Sequence, residues 1–464
     1  MLLIILSIFS QMALANSVDW SGNYRFESVY VSNFDLDNDS KNYYLHHLVL
    51  KPHIVAADDM HIYGRFDILN NEDARYSSVN NQLGSHLGNS PSVGNKDNDL
   101  NSKALNGSQQ VSYLNVSQLY LQWVQEYGSL IVGRAPKDFG LGLTYSAGNG
   151  LWDHWMNTHD VIAYQIVWGN IFFKPYYAKV NEGAVNKNSD DTQEVGLAVY
   201  YENPETDLKM GAYYEERKNS SGLTPVTGVP VFGGDPSKTY DSYKHRNWNL
   251  YVDKSYGEFG FGLEIGFNSG ATGVLNAAGE KIGMDAFAII TELHYDLNPK
   301  WELLLNTGML TGDDRTTDDK YEGFQANRNY NVGMLLFNHP IGKLSYTNTN
   351  YATAFTAADV DSDRLSNATY FAPGFNYIWS DKWTLRGQLV YATLMEEPYA
   401  ANSTGDTDLG YELDFGLTYH PSNRVEVRLD TAYLDAGDAF KGGTANNFAV
   451  KSIYGFELGI ALQF

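Results

Sequence analysis

Cysteine is absent from the 464 residues. That excludes a disulfide scaffold and any thiolate metal site. Long apolar runs are also missing beyond residue 15. A helical membrane protein needs about 18 or more consecutive apolar residues per span, so that class is excluded, and a mean hydropathy of −0.36 agrees. Basic residues are scarce, with 32 Lys and Arg against 55 Asp and Glu and a net charge of −23. So little positive charge cannot neutralise a phosphate backbone, which argues against nucleic acid as partner. Aromatic residues are plentiful: 34 Tyr, 22 Phe and 9 Trp, beside 43 Gly. Disordered chains are aromatic-poor, so this chain folds.

The first residues read as a targeting segment. Met1 to Ala15 carries no charge, its apolar core Leu2 to Phe9 is too short to span a bilayer, and Ala13-Leu14-Ala15 is a small-x-small cleavage site. Residues 1–15 are therefore expected to be a signal peptide and residues 16–464 the mature domain. Export without cysteine points to a bacterial envelope protein.

The rest is a meander of alternating strands. Tyr454, Phe456, Leu458, Ile460, Leu462 and Phe464 fall on one face of the last segment, and Ile453, Gly455, Glu457, Gly459, Ala461 and Gln463 fall on the other. The same period of two recurs around Phe415, Val427, Leu263, Phe26 and Phe66. Short turns are expected near Ala57-Asp58, Tyr127-Gly128, Gly169-Asn170, Asn203-Pro204, Tyr256-Gly257, Asn298-Pro299, His339-Pro340, Ser380-Asp381 and Pro421-Ser422. Most lie about 42 residues apart, room for two strands, a tight turn and a longer loop, the layout of a transmembrane barrel. Nine turns imply about 20 strands, or 18 if one pair is misread, the pair flanking Asn203-Pro204 being the weakest.

The longer connections are acidic and rich in Asn and Gly. Trp20, Trp123, Trp168, Trp301, Trp379 and Trp383 cluster at the short-turn end as an interfacial belt. Energy favours a membrane barrel over a soluble sandwich. In a sandwich the charged rows would be buried, at several kcal/mol per ion. In a wide barrel they line water. A propeller or solenoid would need apolar rows on both faces of its inner strands.

The final alternating strand, Tyr454, Phe456, Leu458, Ile460 and Leu462 with terminal Phe464, resembles that of Gram-negative outer-membrane porins. The resemblance implies an all-β, antiparallel, up-and-down barrel in the bacterial outer membrane, with short periplasmic turns and long extracellular loops. It implies Phe464 as an assembly signal read by the barrel assembly machinery. It implies outer-membrane lipid and lipopolysaccharide as partners, and it admits a homotrimer. Val132-Gly133-Arg134 with Gly140, Gly142, Trp152, Trp155 and Asp160-Val161 loosely resembles a hairpin of alginate-export porins, from which no binding residue is carried over.

An empty bore of this size would leak, so a narrowing segment is expected. Asn71 to Gln110, about 40 residues of mostly Asn, Ser, Gly and Asp, reads as an outer flap. Pro136 to Thr158 carries Phe139, Tyr145, Trp152 and Trp155 between glycines, and either folds inward as a constriction or packs outside. Candidates for the lumen and its selectivity are Arg25, Glu27, Arg65, Asp67, Arg134, Glu264, Glu292, Arg386, Asp414, Glu426, Arg428 and Asp430. Acids exceed bases modestly among the inward rows, so a weak cation preference is expected.

The Asp35, Asp37, Asp39 and Asp359, Asp361, Asp363 triplets resemble calcium-loop beginnings but lack the later Gly and Glu. Solvated tips bridged by divalent ions fit them better, and no cofactor is expected. Asp153-His154, His159-Asp160 and His46-His47 are sequence neighbours that alternate across a strand, and no Gly-x-Ser-x-Gly occurs, so no catalysis is expected. Three roles follow: a diffusion porin for small hydrophilic solutes, a sugar-type specific channel using Tyr145, Trp152 and Trp155, or a structural or adhesive surface barrel.

Overall fold

The computed structural model describes residues 17–34, 36, 40–68, 81–82, 85–87, 114–181, 192–221, 240–276, 278–314, 319–339, 341, 364–397, 406–441 and 452–464. The signal peptide, both Asp triplets and most of Asn71 to Gln110 lie outside the described residues.

Alternation makes the strands. The first nine are β1 Ser17–Val31, β2 Lys41–Ala57, β3 Met60–Ile68, β4 Leu114–Gln125, β5 Gly128–Pro136, β6 Thr158–Trp168, β7 Ile171–Asn181, β8 Thr192–Asn203 and β9 Leu208–Asn219. The other nine are β10 Tyr243–Tyr256, β11 Phe259–Leu275, β12 Lys281–Asn298, β13 Trp301–Leu310, β14 Ala368–Ser380, β15 Trp383–Leu394, β16 Asp408–Ser422, β17 Val425–Ala436 and β18 Ser452–Gln463. Each pairs antiparallel with the next, and β18 pairs with β1, with Arg25 opposite Ala461. The sheet has 20 members, two of them short additions: Ser85–Leu87 beside β2 and Lys320–Tyr321 beside β12. The remaining 18 close a ring. Closure pairs every strand on both sides, which is the condition for a sheet to cross hydrocarbon.

The outer face is apolar. Tyr24, Leu119, Ile162, Leu250, Phe371, Phe415 and Tyr454 are exposed there, while their strand neighbours Arg25, Glu194, Asn249, Glu412 and Ile453 are buried on the inner side. Trp20, Trp168, Trp301, Trp379 and Trp383 are exposed beside the short-turn end, with Tyr127 and Tyr256. An aromatic girdle at one level anchors such a barrel at the membrane boundary.

The strand count resolves to the smaller expected number, but the misread pair is not the one at Asn203-Pro204, which joins β8 to β9. It is the pair assigned around His339-Pro340. There β13 and β14 pair directly, from Trp301 with Tyr377 to Leu310 with Ala368. The chain between them includes Val332, Leu335, Leu336 and Phe337, all buried. Burial on both parities cannot belong to a strand with one polar face. This segment goes inside the ring.

The dry core therefore lies within the barrel. Phe324, Leu335, Leu336 and Phe337 pack with Leu143 against Ala286, Ala288, Ile290, Ala368, Ala372, Ala392 and Leu434 of the wall. The small wall residues leave room: a Cβ on Gly266 would stand 2.7 Å from the Phe324 ring, and one on Gly455 2.9 Å from Leu335.

Candidate functional site

Among the described residues two segments enter the barrel, residues 137–157 and 323–339. The wall that receives them repeats one device. Charged residues two apart on a strand share a face, as in Arg25 with Glu27, Arg65 with Asp67, Glu215 with Arg217, Glu412 with Asp414 and Arg428 with Asp430.

The first segment is held across the lumen. On β1, Arg25 donates Nη1 to the carbonyls of Leu151 at 3.0 Å and Asp153 at 2.9 Å. On β3, Arg65 donates to the Gly148 carbonyl at 2.7 Å. Half a circuit away on β11, the Glu264 carboxylate accepts the N–H groups of Leu141 at 2.7 Å and Leu143 at 3.2 Å, and the Asn249 amide at 2.9 Å. Lys137 reaches Glu194 at 2.9 Å and Glu215 at 2.5 Å, and Tyr145 donates its hydroxyl to Glu215 at 2.5 Å. Burial, reinforced by the adjacent Glu215 carboxylate, pushes the Tyr145 hydroxyl well above its ordinary value, so it remains a donor. Trp152 donates its indole N–H to Glu426 at 2.6 Å, and the Arg428 guanidinium lies 3.9 Å from its ring.

The arginines are themselves neutralised. Arg25 pairs with Glu27 at 3.0 Å, and Glu27 also meets His154 at 2.9 Å and Arg428 at 3.3 Å. Arg65 pairs with Asp67 at 3.2 Å, which also meets His47 at 2.8 Å and accepts from Ser117. Ions taken out of water cost several kcal/mol each unless paired and hydrogen-bonded, and these are.

The second segment has two carboxylates and one amide of the wall as its anchors. Glu412 accepts the N–H groups of Leu335 at 2.6 Å and Leu336 at 2.7 Å, and Asp414 accepts that of Met334 at 3.2 Å. Gln388 donates to the Val332 carbonyl at 2.6 Å. The tight turn that follows places Phe337 at φ 65, a conformation that suits few bulky residues and is held here by complete burial.

The segments also clasp each other. The Asn327 amide donates to Asn157 Oδ1 at 2.6 Å, and its N–H donates to the Leu143 carbonyl at 2.7 Å. The Trp155 N–H donates to Asn329 Oδ1 at 2.9 Å, and the Asn329 amide donates to Ser146 Oγ at 3.1 Å. Arg328 stacks on Trp155 at 3.9 Å. Asn81–Gln82 pairs with Trp155–Met156, so part of the Asn71 to Gln110 connection touches the inner segment.

The sequence candidates separate into three groups. Arg25, Glu27, Arg65, Asp67, Glu264 and Asp414 face inward but are buried beneath the segments, where they act as anchors. Glu292, Arg386, Glu426, Arg428 and Asp430 face inward and keep partial exposure. Arg134 does not face the lumen. It shares the outward parity of Val132 on β5 and pairs with outward Asp160 on β6 at 2.8 Å, with both side chains about half exposed at 42% and 53%. Of the aromatic candidates, Phe139 and Tyr145 are buried, and Trp152 and Trp155 are half-buried under arginines. Tyr145 therefore offers no face to a passing solute. The second segment was missed altogether, although Met334-Leu335-Leu336-Phe337 breaks alternation in plain view.

No protein-family profile matches the chain, and no curated protein matches it. Solved structures share its fold. The outer-membrane protein OpdK of Pseudomonas aeruginosa is 13% identical, covering 96% of this chain and 98% of that one, at a TM-score of 0.51. The same protein solved with vanillate gives 13%, the same shares and 0.50. OccK5 (OpdH) of Pseudomonas aeruginosa gives 11%, 96%, 98% and 0.50. With its closed ring of 18 antiparallel strands, apolar outer face and aromatic girdle, the chain shares the β-barrel fold of these outer-membrane proteins.

Proposed function

We propose that the chain is a passive channel for small hydrophilic solutes in the bacterial outer membrane, narrowed by residues 137–157 and 323–339 and weakly cation-preferring. The observation that carries this reading is the clasp of the two segments inside a ring whose inner rows carry charged groups on β1, β3, β8, β9, β11, β16 and β17. Eighteen strands enclose a bore wide enough for water, and an inward segment reduces it to solute size. The partly exposed inward groups include Glu292, Glu426 and Asp430 against Arg386 and Arg428. That modest excess of acid favours cations, and salt screens it. No catalysis belongs to this reading. Lipopolysaccharide at the long-loop rim and a homotrimer are part of it.

Planar-bilayer recording of the purified protein tests it. The expected result is ohmic steps with a reversal potential slightly on the cation side in a salt gradient, and larger steps when residues 144–156 are replaced by a short Gly-Ser linker. Absence of steps in well-folded protein rejects the channel. Saturable block by one sugar replaces free diffusion with a specific channel, a reading that rests on Trp152 and Trp155 remaining half-exposed.

A further inference from the structure

Three strands near the short-turn end carry a cluster that the channel reading does not use. His53 on β2 and His61 on β3 face inward, His53 in the row of Lys51, whose ammonium reaches Asn149 Oδ1 of the first segment at 3.2 Å. His53 Nε2 and His61 Nδ1 stand 3.0 Å apart. The rings are held by neighbours. Tyr63 stacks on His53 with centroids 4.5 Å apart and planes 1° from parallel, and Tyr120 stacks on Tyr63 at 5.2 Å. Asp19 on β1 is the register partner of His53, and Gln122 on β4 that of His61. Both imidazoles are only half-buried, so they open onto the bore beneath the first segment.

We propose that His53 and His61 form a binding site for a divalent late transition-metal ion, copper(II) above all, on the bore wall. Two ring nitrogens 3.0 Å apart stand at the spacing of adjacent ligands on one metal, and a turn of each half-buried ring off the hydrogen-bond line brings both lone pairs onto it. With metal–nitrogen bonds of about 2.0 to 2.1 Å, cis ligands at a right angle lie about 2.9 Å apart and tetrahedral ones about 3.3 Å. The observed separation of 3.0 Å falls between them. Neutral imidazole carries one ring proton. On metal binding, the proton on the donating nitrogen moves to the other nitrogen of the same ring, so both facing nitrogens become ligands and no net proton is released. Among the described residues no group of three or more His, Asp or Glu converges on a point, so water in the bore completes the coordination. Imidazole pairs with water ligands suit copper(II) and nickel(II) better than harder ions, and the general affinity order places copper first. The bound ion would add positive charge to the wall immediately below the first segment.

Full-length, untagged, folded protein in detergent is titrated with copper(II) and read by electron paramagnetic resonance and calorimetry. The expected result is about one copper per chain with a two-nitrogen signature, lost in both His53→Ala and His61→Ala. His420→Ala removes a histidine bonded to Glu426 instead, and should leave binding unchanged. Heat-shifted mobility on gels verifies that each variant is folded. Copper uptake by the folded double variant equal to that of the parent, or no uptake by the parent, overturns the site. Binding is read without ion current, so a barrel that binds copper but does not conduct refutes the channel and keeps the site.

Discussion

The two inward segments are anchored by opposite chemistries. Residues 137–157 offer carbonyls to arginines, amides to Glu264, and side chains to three ionic clusters spread over β1, β3, β8, β9, β11 and β17. Residues 323–339 offer mainly apolar side chains to an alanine-lined wall, plus three consecutive amides to Glu412 and Asp414. Removing one ion from the first should therefore propagate through a charge network. Removing one acceptor from the second should release a local turn over an intact greasy core.

The largest effect is expected from Arg25→Ala. It strips Glu27 of its nearest cation and frees two carbonyls of the first segment. Breaking a buried pair in this way costs about 3 to 5 kcal/mol. The denaturant midpoint of the detergent-folded barrel should fall, and single-channel steps should grow. Unchanged stability would show that His154 and Arg428 alone satisfy Glu27. Next comes Glu412→Ala, which leaves the Leu335 and Leu336 amides without acceptors at about 1 to 3 kcal/mol each. Limited proteolysis should then cut within 323–339 and spare 137–157, whereas cleavage in both would erase the contrast drawn here. Glu412→Gln keeps an acceptor oxygen and should lie between.

Asn327→Ala tests the clasp itself. Its side chain donates to Asn157 Oδ1 at 2.6 Å and to the Thr144 carbonyl at 3.5 Å and accepts from the Asn329 N–H at 2.9 Å, and each bond lost is worth about 1 kcal/mol. A double-mutant cycle with Asn157→Ala should be non-additive, because both substitutions remove the same contact. Strict additivity would mean that the segments are held by the wall and not by each other. The smallest effect belongs to Arg134→Ala. Its exposed pair with Asp160 on the outer face is worth about 0 to 1 kcal/mol, and conductance and reversal potential should be unchanged. A shifted reversal potential would return Arg134 to the conduction path.

Most of the barrel was legible because period two is a strong signal wherever one face meets lipid. The C-terminal row of Tyr454, Phe456 and Ile460 and the inward placement of Glu27, Glu264 and Glu412 follow directly from parity. Parity says nothing about what covers an inward group. Arg25 and Asp67 face inward, yet they are buried as anchors, because a segment far away in sequence lies on top of them. The His339-Pro340 error has a physical cause too. A turn sits there, closed by the His339 N–H on the Leu335 carbonyl at 3.0 Å, but the residues leading into it, Val332 to Phe337, include Leu335, Leu336 and Phe337, which are fully buried inside the ring. A signal was present. Gly262 and Gly266 on β11 with Ala286 and Ala288 on β12 leave a nearly bare patch of inner wall, and such a patch means that another part of the chain fills the space. Arg134 stands on the outer face because the alternation of its own strand puts it in the row of Val132, opposite Asp160.

The seam between the first and last strands has a consequence for biogenesis. Gly22 and Phe464 exchange both backbone hydrogen bonds, at 2.9 and 3.0 Å, so β1 and β18 are stitched together at the short-turn end of the seam. Until β1 and β18 meet, two raw β-edges remain open to any passing polypeptide. The two strands that protect each other lie at opposite ends of the barrel sequence, so no partly made barrel is free of exposed edges.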